Sequence, residues 1–441
     1  MNSFYALRDL PPTDSYKKGD IVFIFGEVFQ SGYVNGLISA AVRRGLKVYS
    51  TTVGRREGDA LRNLTNEELT ECASRAPLDG VLNATLEAGF DFEPSSQGKT
   101  PVDQISGLKM SQWQEAKIDW NQIEESKERG RERFFTSARQ WAEQVSEIAQ
   151  QNPDSNILFV HTMAGGIPRA KILMPTMNRI FKGRGDRYLA SKTFWESELG
   201  KLCSVSFDEV TAQTYQTLID VTQPLREERK GKRVAYVAYG YHGCELLMNG
   251  QYTWQSYAPY LQGWAKLELE KISQRAFSVG VTSCVFNCPE ILTNSSSLFQ
   301  GVEIPLYPLI EAVRKDAPNH FAKVEASLKP FLKPGVSLDS IYESCMSFFN
   351  NPSTQFLQDF NSWPQHSEAN QMDLMLEQSD RVFDMQTAKD DSITNWLSRL
   401  VFEGCGHLMF EESAKPCAAV EWLGHDIIAK RLSKEADLSD F

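Results

Sequence analysis

The sequence predicts an α/β protein: a Rossmann-like, doubly wound parallel sheet with a mainly helical C-terminal extension. Short apolar runs ending in glycine or small residues alternate with helical patterns between residues 20 and 288. The first of them, IVFIF at 21–25, is apolar throughout instead of alternating with polar residues, as strands buried on both faces are. It enters Gly26 and then a small-residue helix, which opens a strand–turn–helix unit.

In chain order, the polar, proline-bearing residues 1–19 read as an extended arm. IVFIFG (21–26) is the first strand, YVNGLISAAVRR (33–44) a helix and LKVYSTTV (46–53) the second strand, joined by a right-handed crossover. GVLNATL (80–86) is a candidate third strand, and DFEPSSQGKTP after it a loop. A charge-rich helical insertion occupies the region around 90–150. NILFVHTMAGG (156–166) is a strand entering a glycine turn, and SFDEVTAQTYQTLIDVTQPL (206–225) is a helix. RVAYVAYGY (233–241), GWAKLELEKISQRA (263–276) and SVGVTSCVFNC (278–288) then give strand, helix and strand. One Rossmann-like domain is therefore expected at 20–310, with 311–441 as a helical cap or extension punctuated by Pro334 and Pro364.

Composition narrows the class. The 441 residues are 41% hydrophobic and 23% charged, a globular balance. A formal net charge of −11 argues against a nucleic-acid backbone as the main partner. No apolar run approaches the roughly 20 residues of a membrane span. The first residues lack the apolar core of a signal peptide, so a cytoplasmic location is expected. The eight cysteines form no C-x-x-C pair and are expected reduced and packed. Cys405 and His407 suggest a metal or a nucleophile, but no second ligand pair accompanies them and no metal is expected.

Gly26, Gly32 and Gly36 stand at the strand end, the turn and the first helical turn, where a pyrophosphate approaches backbone at the positive end of a helix. The spacing is not the dehydrogenase three-glycine fingerprint, and an ordinary tight turn would also use these glycines. Beyond the second strand, Arg55 and Arg56 stand where the adenosine ribose would lie, and arginine there suits a 2′-phosphate. NADPH is the expected cofactor, with NADH left open, and a solvated arginine pair is the alternative. Gly165 and Gly166 carry the chain past the fourth strand, beneath a nicotinamide ribose.

Tyr257 and Lys266 bracket the start of a helix in QSYAPYLQGWAKLELEK. A phenol here can hydrogen-bond a substrate carbonyl oxygen, while a lysine ammonium lowers its pKa and holds the ribose. Tyr260 is a competing phenol, and both tyrosines could instead be packing residues. The pair resembles the Y-x8-K arrangement of the FabV-type enoyl-ACP reductases and trans-2-enoyl-CoA reductases, a branch of the short-chain dehydrogenase/reductase superfamily. The segment 238–243, AYGYHG, is similar to that family's AYSYIG, and Gly263, Ala265 and Lys266 to its G-x-A-K. Thr293–Ser297 and Ile304–Tyr307 resemble its T-x-A-S and PLY stretches, while 26–36 and 159–163 resemble the shorter enoyl-ACP reductases. The likeness spans roughly 20–310. It departs from the pattern in an insertion within CELLMNGQY (244–252) and in Arg55 and Arg56, where the family has an acid.

The resemblance implies reduction of the C2–C3 double bond of an enoyl thioester on CoA or acyl-carrier protein. Tyr257 would stabilise the enolate, Tyr241 or Tyr239 would be a second phenol, and Lys266 would hold the nicotinamide ribose. A carbonyl reductase using the same pair, or a reductase-like scaffold within a synthase assembly, are the other readings. Homo-oligomerisation through apolar helix faces is open.

Overall fold

Every apolar run expected as a strand pairs into one seven-stranded sheet. Its strands are β1 (Ile21–Phe25), β2 (Lys47–Thr51), β3 (Gly80–Leu82), β4 (Ile157–His161), β5 (Val234–Gly240), β6 (Thr282–Asn287) and β7 (Val420–Trp422). They lie in the order β7-β6-β5-β4-β1-β2-β3, and every pair is parallel. The order reverses between β1 and β4, which opens a crevice beyond their C-terminal ends. Phe25 registers with His161, and His161 with Ala238, so those ends form one level edge. The computed structural model describes residues 5–30, 32–58, 60–256, 261–292, 300–301, 303–360, 365–387 and 393–434.

Side chains that alternate along each strand feed two cores. Ile21, Phe23, Phe25, Phe159 and Tyr236 face one side, with Trp141 of α2 (Trp120–Gln150), Tyr215 of α4 (Thr214–Val221) and Leu269 of α5 (Leu261–Ser278). Val22, Ile24, Leu158 and Val237 face the other, with Leu37 of α1 (Tyr33–Arg43), Ile310 of α6 (Leu309–Asp316), Leu408 of α7 (Ile393–Glu412) and Ile427 of α8 (His425–Leu432). The first core holds an aromatic row, Phe23–Phe159 at 5.7 Å and Phe159–Tyr236 at 5.2 Å, with Phe25 edge-on to Trp141. Between β4 and β5, α3 (Glu198–Phe207) runs through a π-helical stretch, Asp208–Gln213, straight into α4.

The chain beyond 310 differs from a simple helical extension. Besides its helices it returns to supply β7, paired with β6, and α7 lies across α1. The seam is glycine to glycine: a Cβ on Gly36 would come 2.4 Å from the Phe402 oxygen, and one on Gly406 would come 2.2 Å from the Leu37 nitrogen. The N-terminal arm is likewise tied down. Leu7 N–H donates to the Trp422 carbonyl and Trp422 N–H to that of Tyr5, which covers the outer edge of β7. The departure within CELLMNGQY is a hairpin, Cys244–Met248 against Gln251–Gln255, turned at Asn249 (φ 51°) and Gly250 (φ 75°). Among the described residues no helix is long and apolar enough to cross a membrane.

Candidate active site

The turn after β1 is shaped by crowding. A side chain on Gly26 (φ 132°) would meet Thr162 Oγ1 at 2.3 Å, so the β1 and β4 loops pass each other only because residue 26 has none. Gly32 caps α1 with no side-chain bond to the first turn, leaving that turn's N–H groups without a side-chain cap. Gly36 has a packing constraint of its own, since its missing Cβ points at α7.

The ribose end differs from the sequence expectation. Residues 55–57 and 60–62 form a small antiparallel hairpin after β2, and both arginines are answered by carboxylates. Arg55 makes a two-pronged bond to Glu27 at 3.0 and 3.1 Å, and Arg75 reaches the same carboxylate at 2.7 Å. The two guanidinium groups hold the buried Glu27 carboxyl below its ordinary pKa, against the opposing effect of burial. Arg56 is only 8% exposed, pairs with Asp91 at 2.8 Å and Glu87 at 3.2 Å, and lies 3.8 Å over the Phe92 ring. These acids lie far from the arginines in sequence, so local inspection saw two uncommitted cations where there is a neutralised network.

Past β4 the chain turns through Gly165 (φ 111°) and Gly166 (φ 129°), and Thr211 of the π-helical stretch donates to the Gly165 carbonyl. A Cβ on Gly166 would lie 2.7 Å from the Ser206 oxygen, so this turn is packed against the α3–π–α4 helix. His161 at the end of β4 is buried, shares a 2.8 Å bond between Nε2 and Thr214 Oγ1, and leaves Nδ1 without a partner. Burial, and then the Lys266 charge, pull its pKa well below the ordinary value and keep the ring neutral.

Lys266 is the buried cation beside His161. It sits on α5, is 5% exposed, and its ammonium is bonded to no group among the described residues. Burial lowers its pKa to about 7, with Cys288 after β6 acting in the opposite direction. The same Cys288 acts on two phenols, Tyr33 at the start of α1 and Tyr239 of β5, whose rings stack at 5.4 Å. Among the described residues the buried Tyr239 hydroxyl has no hydrogen-bond partner, and Tyr33 donates to the Pro289 carbonyl. Tyr241, just past β5, donates to Glu290, which is 8% exposed and whose pKa is pushed up to about 8 by burial, with the Tyr241 bond opposing. Tyr257, Tyr260 and Thr293–Ser297 lie outside the described residues.

One turn along α5, Glu270 accepts from Asn287 Nδ2 at 2.7 Å and pairs with His242 Nδ1 at 3.2 Å, while Asn287 Oδ1 takes the His242 N–H at 2.7 Å. This network ties the ends of β5 and β6 to the helix that carries Lys266. Sequence reading missed Glu290, whose one signal was an acid directly after a strand end and Pro289. It missed Glu27 too, an acid adjoining the glycine turn. Cys405 is buried against Cys288, and His407 accepts instead from Arg431 at 3.0 Å. Glu412, Cys417 and Glu421 bring ligand-type atoms within 4.8 Å of one another, and both carboxylates accept backbone N–H bonds from the turn before β7.

A crevice at the strand-order switch, an uncapped helix start on one side and a buried lysine among phenols on the other define a Rossmann-type, nicotinamide-dependent oxidoreductase. The comparisons with known proteins are specific about which. The chain belongs to the FabMG enoyl-acyl carrier protein reductase family, whose profile matches residues 3–432. It is similar to the apo structure of FabMG, described as a novel type of enoyl-acyl carrier protein reductase, at 40% identity and TM-score 0.93, over 98% of this chain and 97% of that one. It is also similar to an NADH-bound FabMG structure at 36% identity and TM-score 0.78, over 98% and 99%. No curated protein matches the chain. The enoyl-reductase class that the sequence motifs implied is therefore the right one, and the branch these matches name is FabMG, where the motifs had pointed to FabV.

Proposed function

We propose that this protein reduces the C2–C3 double bond of an enoyl thioester carried on acyl-carrier protein, with NADH as the reductant. The observation that carries the reading is Lys266, which is 5% exposed, acts on His161 at the end of β4, and whose ammonium bonds no group among the described residues. A buried cation left unpaired is costly, and the hydroxyls of a nicotinamide ribose are the groups that would answer it. The bound cofactor supplies a hydride for the β-carbon.

The remaining steps belong to the chain. Lys266 orients the ribose, and the backbone N–H groups of α1 receive the pyrophosphate beside Gly26 and Gly32. Gly165 and Gly166 let the β4 turn pass close beneath the nicotinamide. Negative charge then develops on the thioester oxygen, where Tyr257, or Tyr260 in its place, and Tyr241 would meet it as hydrogen-bond donors. NADH is preferred over NADPH because Arg55 and Arg56 already hold Glu27, Asp91 and Glu87, and a 2′-phosphate would have to compete with those carboxylates. The FabMG relative solved with NADH supports the same choice.

The test is direct. Purified protein is mixed with NADH and crotonyl thioester, and NADH absorbance is followed. Oxidation that depends on the enoyl substrate, is faster with NADH than with NADPH and is reduced by Tyr257→Phe is expected. NADH that neither binds nor is consumed overturns the reading, and oxidation driven by keto substrates alone would make the protein a carbonyl reductase.

A further inference from the structure

Enoyl reduction consumes one proton as well as one hydride, and nothing so far says where that proton is controlled. The structure offers a pair for it. Tyr241 leaves the end of β5 and Glu290 leaves the end of β6, neighbouring strands of the sheet, and their side chains meet in a hydrogen bond. Glu290 is 8% exposed, and the groups that act on it are Tyr241, Glu303 in the turn before α6, and Tyr33 of α1. Among the described residues no cation answers this carboxyl, so the fold holds an acid where a charge would be costly.

A carboxyl and a phenol can share one hydrogen bond in two directions. With Glu290 ionised, the phenol must donate to it, and the phenolic hydrogen is committed to the protein. With Glu290 protonated, the acid donates to the phenolic oxygen, and the Tyr241 hydrogen is released to point elsewhere. We propose that Glu290 is the positioning residue that sets the direction of the Tyr241 hydroxyl, so that this hydroxyl donates to the thioester oxygen and passes its proton to the product only when Glu290 is a neutral acid. The inference rests on the enoyl-reductase reading above.

The step balances. Hydride forms the C3–H bond, and the electrons of the double bond move onto the thioester oxygen as an enolate. The Tyr241 O–H bond breaks, its proton forms the C2–H bond, and the enolate electrons return to the carbonyl. The Glu290 O–H bond then breaks to restore the phenol, and Glu290 recovers its proton from water. One proton is taken from solvent in each turnover, as the overall reaction requires.

Burial pushes the Glu290 pKa up to about 8, so the acid form is present at neutral pH and is lost above that value. Wild-type kcat should fall about tenfold per pH unit above that point, because a single group is leaving its active form. Glu290→Gln keeps a neutral donor to the phenolic oxygen at every pH. It should retain neutral-pH turnover within about tenfold and lose the part of the alkaline fall that sets in near pH 8, since its pH-independent amide replaces the titrating acid. Glu290→Ala leaves the phenol without that donor and should lower kcat about a hundredfold, the scale of one misplaced proton donor, with KM for NADH unchanged. Any alkaline limb due to Lys266 is common to wild type and variants and cancels in the comparison. An alkaline fall kept intact in Glu290→Gln, or wild-type kcat in a folded Glu290→Ala, overturns the proposal. A wild type that turns over no enoyl thioester overturns instead the reductase reading beneath it.

Discussion

The two ends of the crevice handle charge in opposite ways. At the ribose end, Arg55, Arg75 and Arg56 are each matched to a carboxylate, with Glu27 serving two of them and Asp91 and Glu87 the third. At the other end, among the described residues, Lys266, the Tyr239 hydroxyl and His161 Nδ1 have no hydrogen-bond partner, and Glu290 pairs with the Tyr241 phenol. Burial shifts the groups at this second end, with Lys266 held near 7 and Glu290 near 8. Completed networks are what a fold builds for its own stability, whereas buried titratable groups left incomplete are what a site keeps for a ligand.

Replacing one cation at each end separates the two roles. Lys266→Ala should lower kcat/KM by a factor of about a hundred or more, the range for a group that positions cofactor and donor. Its thermal unfolding should be no worse than wild type. The pH dependence has a defined sign. The folded pKa of Lys266, about 7, lies below its ordinary 10.5, so between those values the unfolded chain binds the proton and the folded chain does not. This lysine therefore makes stability rise with pH across that window. Lys266→Met should remove that rise and gain most over wild type below pH 7, as thermal melts of the cofactor-free protein would show.

Arg56→Ala should do the reverse. It strands Asp91 and Glu87 in a buried setting and should cost about 3 kcal/mol, the lower end for breaking a buried pair. NADH affinity, read by fluorescence, should stay at the wild-type value. Weaker binding in a stable Arg56→Ala would show that the ribose end is not a closed network. The smallest effect is expected from Glu27→Gln, which leaves Arg55 and Arg75 with less opposing charge. The ratio of NADPH to NADH affinity should rise about tenfold, the worth of one charge-assisted bond to a phosphate. An unchanged ratio would mean that the phosphate never reaches these arginines.

The same contrast explains what the sequence could show. β1, β4 and β5 were legible because burial on both faces leaves them apolar at nearly every position, and β6 through its Cys284–Phe286 centre. Lys266 was legible because its neighbours fit a motif. β7 was not, being three residues that join the sheet after a long helical excursion, and its partner strand lies more than a hundred residues earlier. The Asn249–Gly250 turn carried a strong local hairpin signal, masked by reading the stretch as an insertion into a motif. The partners of the arginines were not legible because an ion pair is a property of two positions, and Glu27 and Asp91 are distant from them along the chain. Gly36 was read for phosphate approach, and only the path of α7 shows that close helix packing also requires a glycine there.

Isotope labelling shows directly which carbon receives the hydride and which the proton. A crotonyl thioester on acyl-carrier protein is incubated with the protein and NADH carrying deuterium at the transferable position, and the product is analysed by mass spectrometry. Enoyl reduction predicts one deuterium at C3, and a second at C2 when the reaction is run in heavy water. Deuterium found at a former carbonyl carbon with keto substrates only, or no transfer from NADH to any thioester, would contradict it.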